Sequence, residues 1–163
     1  MGTGLNLILT YEYALKKPEI DISYTGLEPY PVEKQLYSAL SFTTLQNPEI
    51  HNIFREIHEA DFNEEIRLSS SFQFEKKKIT IGEYNSEKRY DLIYYDAFGP
   101  RYQPEMWGIE IMEHIYSLMK PNACLVTYCA QGEFRRILLS LGLMVERLAG
   151  PPGKREMIRA KRI

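Results

Sequence analysis

Cysteine, tryptophan and long apolar runs are all scarce in this chain of 163 residues, which holds two cysteines and one tryptophan. The longest apolar run falls far short of the ~18 residues of a spanning helix, which argues against a membrane protein. Met1-Gly2-Thr3-Gly4-Leu5-Asn6 has no Lys or Arg ahead of its apolar stretch and so makes a poor signal peptide. Asn6 stands where a myristoylation signal needs Ser or Thr. The two cysteines, Cys124 and Cys129, lie in one apolar run that reads as one strand. Five strand residues span about 16 Å, beyond the ~7 Å limit for bridged Cα atoms. Their odd spacing also points them to opposite faces. Two buried thiols in a cytoplasmic protein are the expectation. No CxxC and no nearby His accompany them, so no metal site is expected.

What is present is ordinary for a soluble globular chain: 44% hydrophobic and 26% charged residues. The length implies one domain with a core large enough to need no staples. The net charge of −2 conceals a division. Residues 1–130 carry 12 basic and 19 acidic side chains, whereas residues 131–163 carry 8 basic and 3 acidic. The basic end is a candidate contact for a polyanion, with a solvated basic face as the plain alternative.

The pattern alternates helices and strands. A helix is expected over 4–17, with Leu5, Ile8, Leu9 and Leu15 as its main apolar positions. Ile20, Ile22 and Tyr24 alternate with polar residues in a strand over 20–28. Pro31 suits the first turn of a helix over 32–44, and Asn47-Pro48 opens another to Ala60 with Ile50, Ile53, Phe54 and Ile57 on one face. Two-residue periods at Ile66/Leu68, Phe72/Phe74 and Ile79/Ile81 predict strands, interrupted at Lys76-Lys77-Lys78 by a turn or exposed edge. Tyr90–Asp96 reads as a buried strand ending in an acid. Helices over 105–120 and 131–141 flank a strand over 123–129, and two strands surround Gly150-Pro151-Pro152-Gly153. That short connection forces an antiparallel pair. The whole implies an α/β fold with a mainly parallel sheet.

Ligands of open α/β sheets bind at the carboxyl ends of strands and at helix starts, and three segments belong there. Gly2-Thr3-Gly4-Leu5-Asn6 opens a helix, and its glycines let backbone approach a ligand. Leu7 breaks the dinucleotide G-x-G-x-x-G pattern, and a flexible terminus is the alternative. Glu28 closes a strand about 24 residues on, where an acid can accept hydrogen bonds from ribose hydroxyls. A solvated strand-end acid is the alternative. Asp96-Ala97-Phe98-Gly99-Pro100 begins at the end of the Tyr90–Asp96 strand, with Pro104, Met106 and Trp107 beyond. Phe98 and Trp107 could stack on a planar base, or could belong to the core beside a helix-capping Asp96.

Four blocks in order, Gly2-Thr3-Gly4-Leu5-Asn6, Tyr24-Thr25-Gly26-Leu27-Glu28-Pro29, Asp96-Ala97-Phe98-x-Pro100-x-x-x-Pro104-x-Met106-Trp107 and Gly153-Lys154-Arg155-Glu156-Met157, resemble the methyltransferase domain of MnmC and its single-domain relatives. The resemblance runs from residue 2 to about 160 and leaves no length for the flavin-dependent oxidase domain of bifunctional members. It implies a Rossmann-like class I methyltransferase sheet with a terminal antiparallel hairpin. It also implies methyl transfer from S-adenosylmethionine to the aminomethyl nitrogen of wobble 5-aminomethyl-(2-thio)uridine in tRNA. On this resemblance Gly2, Thr3, Gly4 and Asn6 surround the methionine part of the cofactor and Glu28 holds the ribose. Glu83, in a Gly-Glu where Gly-Asp is expected, lies near the adenine. Asp96 lies at the cofactor beside the reacting nitrogen as the catalytic residue. Phe98, Pro100, Pro104 and Trp107 shape the uridine pocket, and Lys154 and Arg155 lie near the site and the RNA. Arg135, Arg136, Arg159, Lys161 and Arg162 join them as phosphate contacts. A separate enzyme would supply the aminomethyl group.

Relatives carry a central strand before the glycine loop. This chain begins inside the loop, so a sheet lacking its first strand and marginal stability are expected. A fragment retaining only RNA binding is the alternative, and aminopropyl transfer is a third reading that the basic end disfavours.

Overall fold

The computed structural model describes residues 1–40, 48–150, 153 and 155–163. They form two compact units, residues 1–80 and 81–163.

In the first unit a helix, α1 (Leu5–Leu15), is followed by strand β1 (Ile22–Leu27), helices α2 (Lys34–Ala39) and α3 (Pro48–Glu59), and strands β2 (Glu65–Ser69) and β3 (Phe72–Lys77). The strand order is β1-β3-β2, with β1 parallel to β3 and β2 antiparallel to it. Phe72 and Phe74 lie opposite Ile22 and Tyr24. They meet Ile50, Ile53, Phe54 and Ile57 of α3, the face its apolar spacing predicts. On α1 the buried residues are Leu7, Ile8, Tyr11 and Ala14, while Leu5, Leu9 and Leu15 are exposed. Only Ile8 of the four expected core positions is buried. Apolar residues run almost around this helix, so periodicity alone allows more than one inward face. Phe72 is fully buried, with the Tyr11 ring edge-on at 5.4 Å. Phe72→Ala is expected to cost about 3–5 kcal/mol, read as a fall in the urea midpoint followed by circular dichroism.

The lysine run is not a turn. Lys76 and Lys77 belong to β3, and Lys76 is buried at 4% exposure. The two-residue alternation simply continues from Phe72 and Phe74 to Lys76. The Lys76 stem fills a core position, and its ammonium donates to the His58 carbonyl at 2.6 Å near the carboxyl end of α3. There a cation complements the helix dipole. The Phe62 ring lies 4.8 Å from the same ammonium. Ile79 and Ile81 form no strand.

The second unit holds β4 (Tyr90–Tyr94), a 3-10 turn (Pro104–Trp107), α4 (Ile109–Leu118), β5 (Met119–Thr127), α5 (Gly132–Ser140), β6 (Leu143–Ala149) and β7 (Glu156–Arg162). The strand order is β4-β5-β7-β6. β4 is parallel to β5, while β7 is antiparallel to both β5 and β6. Over the described residues, antiparallel pairings outnumber parallel ones, against the expectation of a mainly parallel sheet. The terminal hairpin is antiparallel as expected, closed by the Gly150 amide on the Arg155 carbonyl. Gly153 adopts φ +88° there, which favours glycine.

The core of this unit joins Met112 and Ile115 of α4, Leu125 of β5, Phe134 and Leu138 of α5, and Ile158 and Ala160 of β7. β5 begins at Met119 and takes in Lys120-Pro121, so the helix before it ends earlier than expected. Cys124 lies within β5, but the strand stops at Thr127, two residues before Cys129. Both thiols are free; Cys129 is buried and Cys124 half-buried. Among the described residues no helix is long and apolar enough to cross a membrane. Nor, among them, does any group of three or more His, Cys, Asp or Glu gather as metal ligands.

Candidate functional site

The glycine loop and Glu28 come together in the first unit. Gly2 and Gly4 both take positive φ, +56° and +80°. Gly4 precedes α1, and no side chain caps that helix. A Cβ on Gly4 would sit 2.9 Å from Ile57 Cδ1 of α3, and the φ of +80° itself favours glycine there. Glu28 follows β1 and is buried at 8% exposure. Its Oε2 accepts the Gly2 amide at 2.5 Å and its Oε1 accepts the Tyr30 amide at 2.9 Å. Oε2 also lies 3.3 Å from the Met1 ammonium, so the further lone pair for a ligand hydroxyl is on Oε1. Asn6 is half-buried in the first turn of α1. The loop is held from the other side by His58, whose Nε2 lies 3.2 Å from the Thr3 carbonyl.

In the second unit, Asp96 lies just past β4 and is exposed. The strand itself is only half-buried, where the sequence predicts a buried one. Beyond Asp96 three successive carbonyls are tied down. Tyr128 donates its hydroxyl to Ala97 O at 2.6 Å. Trp107 donates its indole N–H to Phe98 O at 2.7 Å. Gly99 O accepts the amides of Tyr102 and Gln103 at 2.8 and 3.1 Å. This bracing leaves the Phe98 and Tyr102 rings 67% and 83% exposed. Tyr95 donates its hydroxyl to Met106 O, and burial pushes its pKa well up, so it stays a donor. Burial also raises the Tyr128 phenol, with the charges of Asp96 and Cys129 adding to it.

A cavity of about 630 Å³ opens beside this loop, lined by residues that include Pro100, Arg101, Tyr102, Tyr128, Gln131 and Arg155. That volume suits a small ligand or one nucleoside.

The placement differs from the expected pocket at several residues. Trp107 is buried, with its ring packed edge-to-face on Tyr95, Tyr128 and Phe134. It braces the Phe98 backbone and has no free face for a base. Pro104 starts the 3-10 turn and is exposed outside the cavity lining. Glu83 is exposed on a turn. Lys154 lies outside the described residues. The basic end is partly committed to the fold. Arg159 binds Glu146 through two nitrogens at 2.8 and 2.6 Å. Arg162 donates to Tyr116 O and Met119 O, closing the end of α4. On α5, Arg136 is exposed and Arg135 half-buried. Sequence reasoning missed Arg101, Tyr102, Tyr128 and Gln131. Arg101 and Tyr102 stand inside the Asp-Ala-Phe…Met-Trp block, and Tyr128 follows β5 at its carboxyl end, which is where such residues can be sought.

Comparison with known proteins identifies the family and the fold. A family model described as S-adenosyl-L-methionine-dependent methyltransferase matches residues 39–163. The tRNA 5-methylaminomethyl-2-thiouridine biosynthesis bifunctional protein MnmC of Aeromonas hydrophila is 27% identical over 99% of this chain, which covers 26% of that protein. The protein of the same name from Ectopseudomonas mendocina is 36% identical over 96% of this chain and 25% of its own length. The chain therefore spans about a quarter of the curated relatives it matches. The crystal structure of MnmC2 from Aquifex aeolicus superposes with a TM-score of 0.78 at 20% identity, over 98% of this chain and 50% of that one. That likeness establishes the Rossmann-like fold.

Proposed function

Since this chain belongs to the S-adenosyl-L-methionine-dependent methyltransferases, we propose that it methylates the aminomethyl nitrogen of wobble 5-aminomethyl-(2-thio)uridine in tRNA. The observation that carries the choice of substrate is the cavity lined by Tyr102, Tyr128, Arg101 and Arg155, on the braced loop that follows Asp96. The names of the relatives and the order of the four sequence blocks support it.

The loop residues suit the cofactor. An uncapped helix start offers backbone amides to an anionic group, and the buried Glu28 carboxylate offers acceptors to ribose hydroxyls. Gly2, Thr3, Gly4, Asn6 and Glu28 would hold it there, with Glu83 near the base. The bound sulfonium supplies an already activated methyl group. What remains for the protein is to hold the acceptor nitrogen in line and unprotonated. Asp96 would accept a hydrogen bond from that amine, orient its lone pair, and take the released proton. Tyr102 would offer the nucleobase an aromatic face in the cavity, the exposed Phe98 ring one outside its lining, and Pro100 would close one side. Arg101 and Arg155, both exposed at the cavity, would meet phosphates. With tRNA as substrate the reaction belongs in the cytoplasm, after a separate enzyme has made the primary amine.

Two expected outcomes test this. Labelled methyl from S-adenosylmethionine should enter tRNA bearing the primary amine and stay out of tRNA lacking it; equal labelling of both would refute the assignment. Arg101→Ala with Arg155→Ala should raise the tRNA KM about tenfold, leave cofactor affinity unchanged, and reduce the dependence of KM on salt.

A further inference from the structure

Resting on the reading that the glycine loop holds the cofactor, we propose that His58 is a positioning residue for cofactor binding. It acts by fixing the Thr3–Gly4 peptide of that loop.

The Thr3–Gly4 peptide is held at both ends. Its N–H, on Gly4, donates to Met1 O at 3.1 Å. Its C=O, on Thr3, meets His58 Nε2 at 3.2 Å. The peptide before it ends in Thr3 N–H, which has no partner among the described residues. The peptide before that donates its Gly2 N–H to Glu28. The bound and unbound amides thus alternate along the loop, and His58 supplies a side-chain contact that sets the direction of the Thr3 carbonyl. Gly4 is a glycine at φ +80°, where a peptide flip meets little steric resistance. Without the His58 bond, the Thr3 oxygen can turn toward the side on which the loop presents amides. An oxygen there would repel an anionic ligand group.

His58 is itself built into place. Its ring stacks on Tyr37 of α2 at 4.6 Å with the planes 13° apart, and meets Phe54 of α3 edge-on at 4.7 Å. Its own carbonyl is anchored by the buried Lys76 of β3. Burial and the Lys76 charge hold the imidazole below its ordinary pKa, against the opposing pull of the Thr3 carbonyl and Glu28. The neutral ring therefore carries its proton on Nε2, the nitrogen facing the carbonyl. A core packing residue would need only the ring. This one also spends its donor on the backbone of the proposed cofactor loop.

The test separates ring from donor. His58→Phe keeps a flat ring on Tyr37 and loses the donor; His58→Gln loses the ring and keeps an amide N–H near the same point. Calorimetric titration with S-adenosylmethionine should show Kd raised about five- to tenfold in His58→Phe, the worth of one hydrogen bond. In His58→Gln it should return to within about twofold of the unsubstituted chain. With saturating cofactor, kcat should be unchanged in both. Unchanged Kd in His58→Phe overturns the proposal, and so does equal weakening in both variants, which would assign the effect to packing. Absence of binding by the unsubstituted chain refutes instead the reading of the loop as a cofactor site.

Discussion

Asp96→Ala is expected to lower kcat by about 10²–10⁴-fold, the usual worth of a positioned acid–base group. Cofactor Kd should stay within about threefold. Asp96 is exposed beyond the end of β4, so the melting temperature should barely move; surface changes usually stay within about 0.5 kcal/mol. The conservative change divides its two duties. An asparagine can still accept a hydrogen bond from the amine but cannot take its proton. A loss of about tenfold in Asp96→Asn, against the far larger loss in alanine, would make orientation the main duty. Equal losses would make proton transfer the main one. Single-turnover rates at saturating tRNA and cofactor measure both.

Glu28→Ala is expected to abolish measurable cofactor binding. The buried carboxylate holds Gly2 N–H, Tyr30 N–H and the Met1 ammonium, and the remaining Oε1 lone pair is the acceptor assigned to ribose. Hydrogen bonds to charged groups are worth roughly 1.5–3 kcal/mol each, so losing the loop anchor and the ribose contact together should weaken binding by roughly 10²–10³-fold or more. Glu28→Gln should be nearly as damaging. Whichever way its amide turns, an NH2 faces a backbone N–H. Calorimetry reads both variants, and a Kd within threefold of the unsubstituted chain in Glu28→Gln would contradict this assignment.

Motif reasoning reached further here than periodicity did. Gly4 and Glu28 stand 24 residues apart, yet the sequence alone pairs them, because one closes a strand and the other opens a helix. The structure then joins their segments through the Gly2 amide on Glu28 and the Met1 ammonium on Leu27 O and Glu28. Periodicity failed where the polar and apolar signals disagreed with burial. On α1, leucines at the surface outnumber those in the core, since the small Ala14 and the amphipathic Tyr11 occupy inward positions. At Lys76 a charged residue takes a core position because the carboxyl end of α3 meets its ammonium, a tertiary contact with no local signature. Trp107 stands out in the sequence as the one tryptophan of a conspicuous block, but its bracing role is not legible there. Aromatic composition cannot distinguish a ring that stacks on a base from one that braces the loop carrying another ring. Arg159 and Arg162 show the same limit for charge, since their partners Glu146 and the end of α4 lie far off in sequence.

The most direct measurement of the central claim is mass spectrometry of nucleosides digested from tRNA after incubation with the chain and S-adenosylmethionine. The tRNA should carry 5-aminomethyl-(2-thio)uridine at the wobble position. The account predicts that this nucleoside disappears as the species with one added methyl on its side-chain nitrogen grows, with Asp96→Ala lagging by orders of magnitude. Methylation at any other nucleoside, or at the same nucleoside with equal rate in Asp96→Ala, would contradict it.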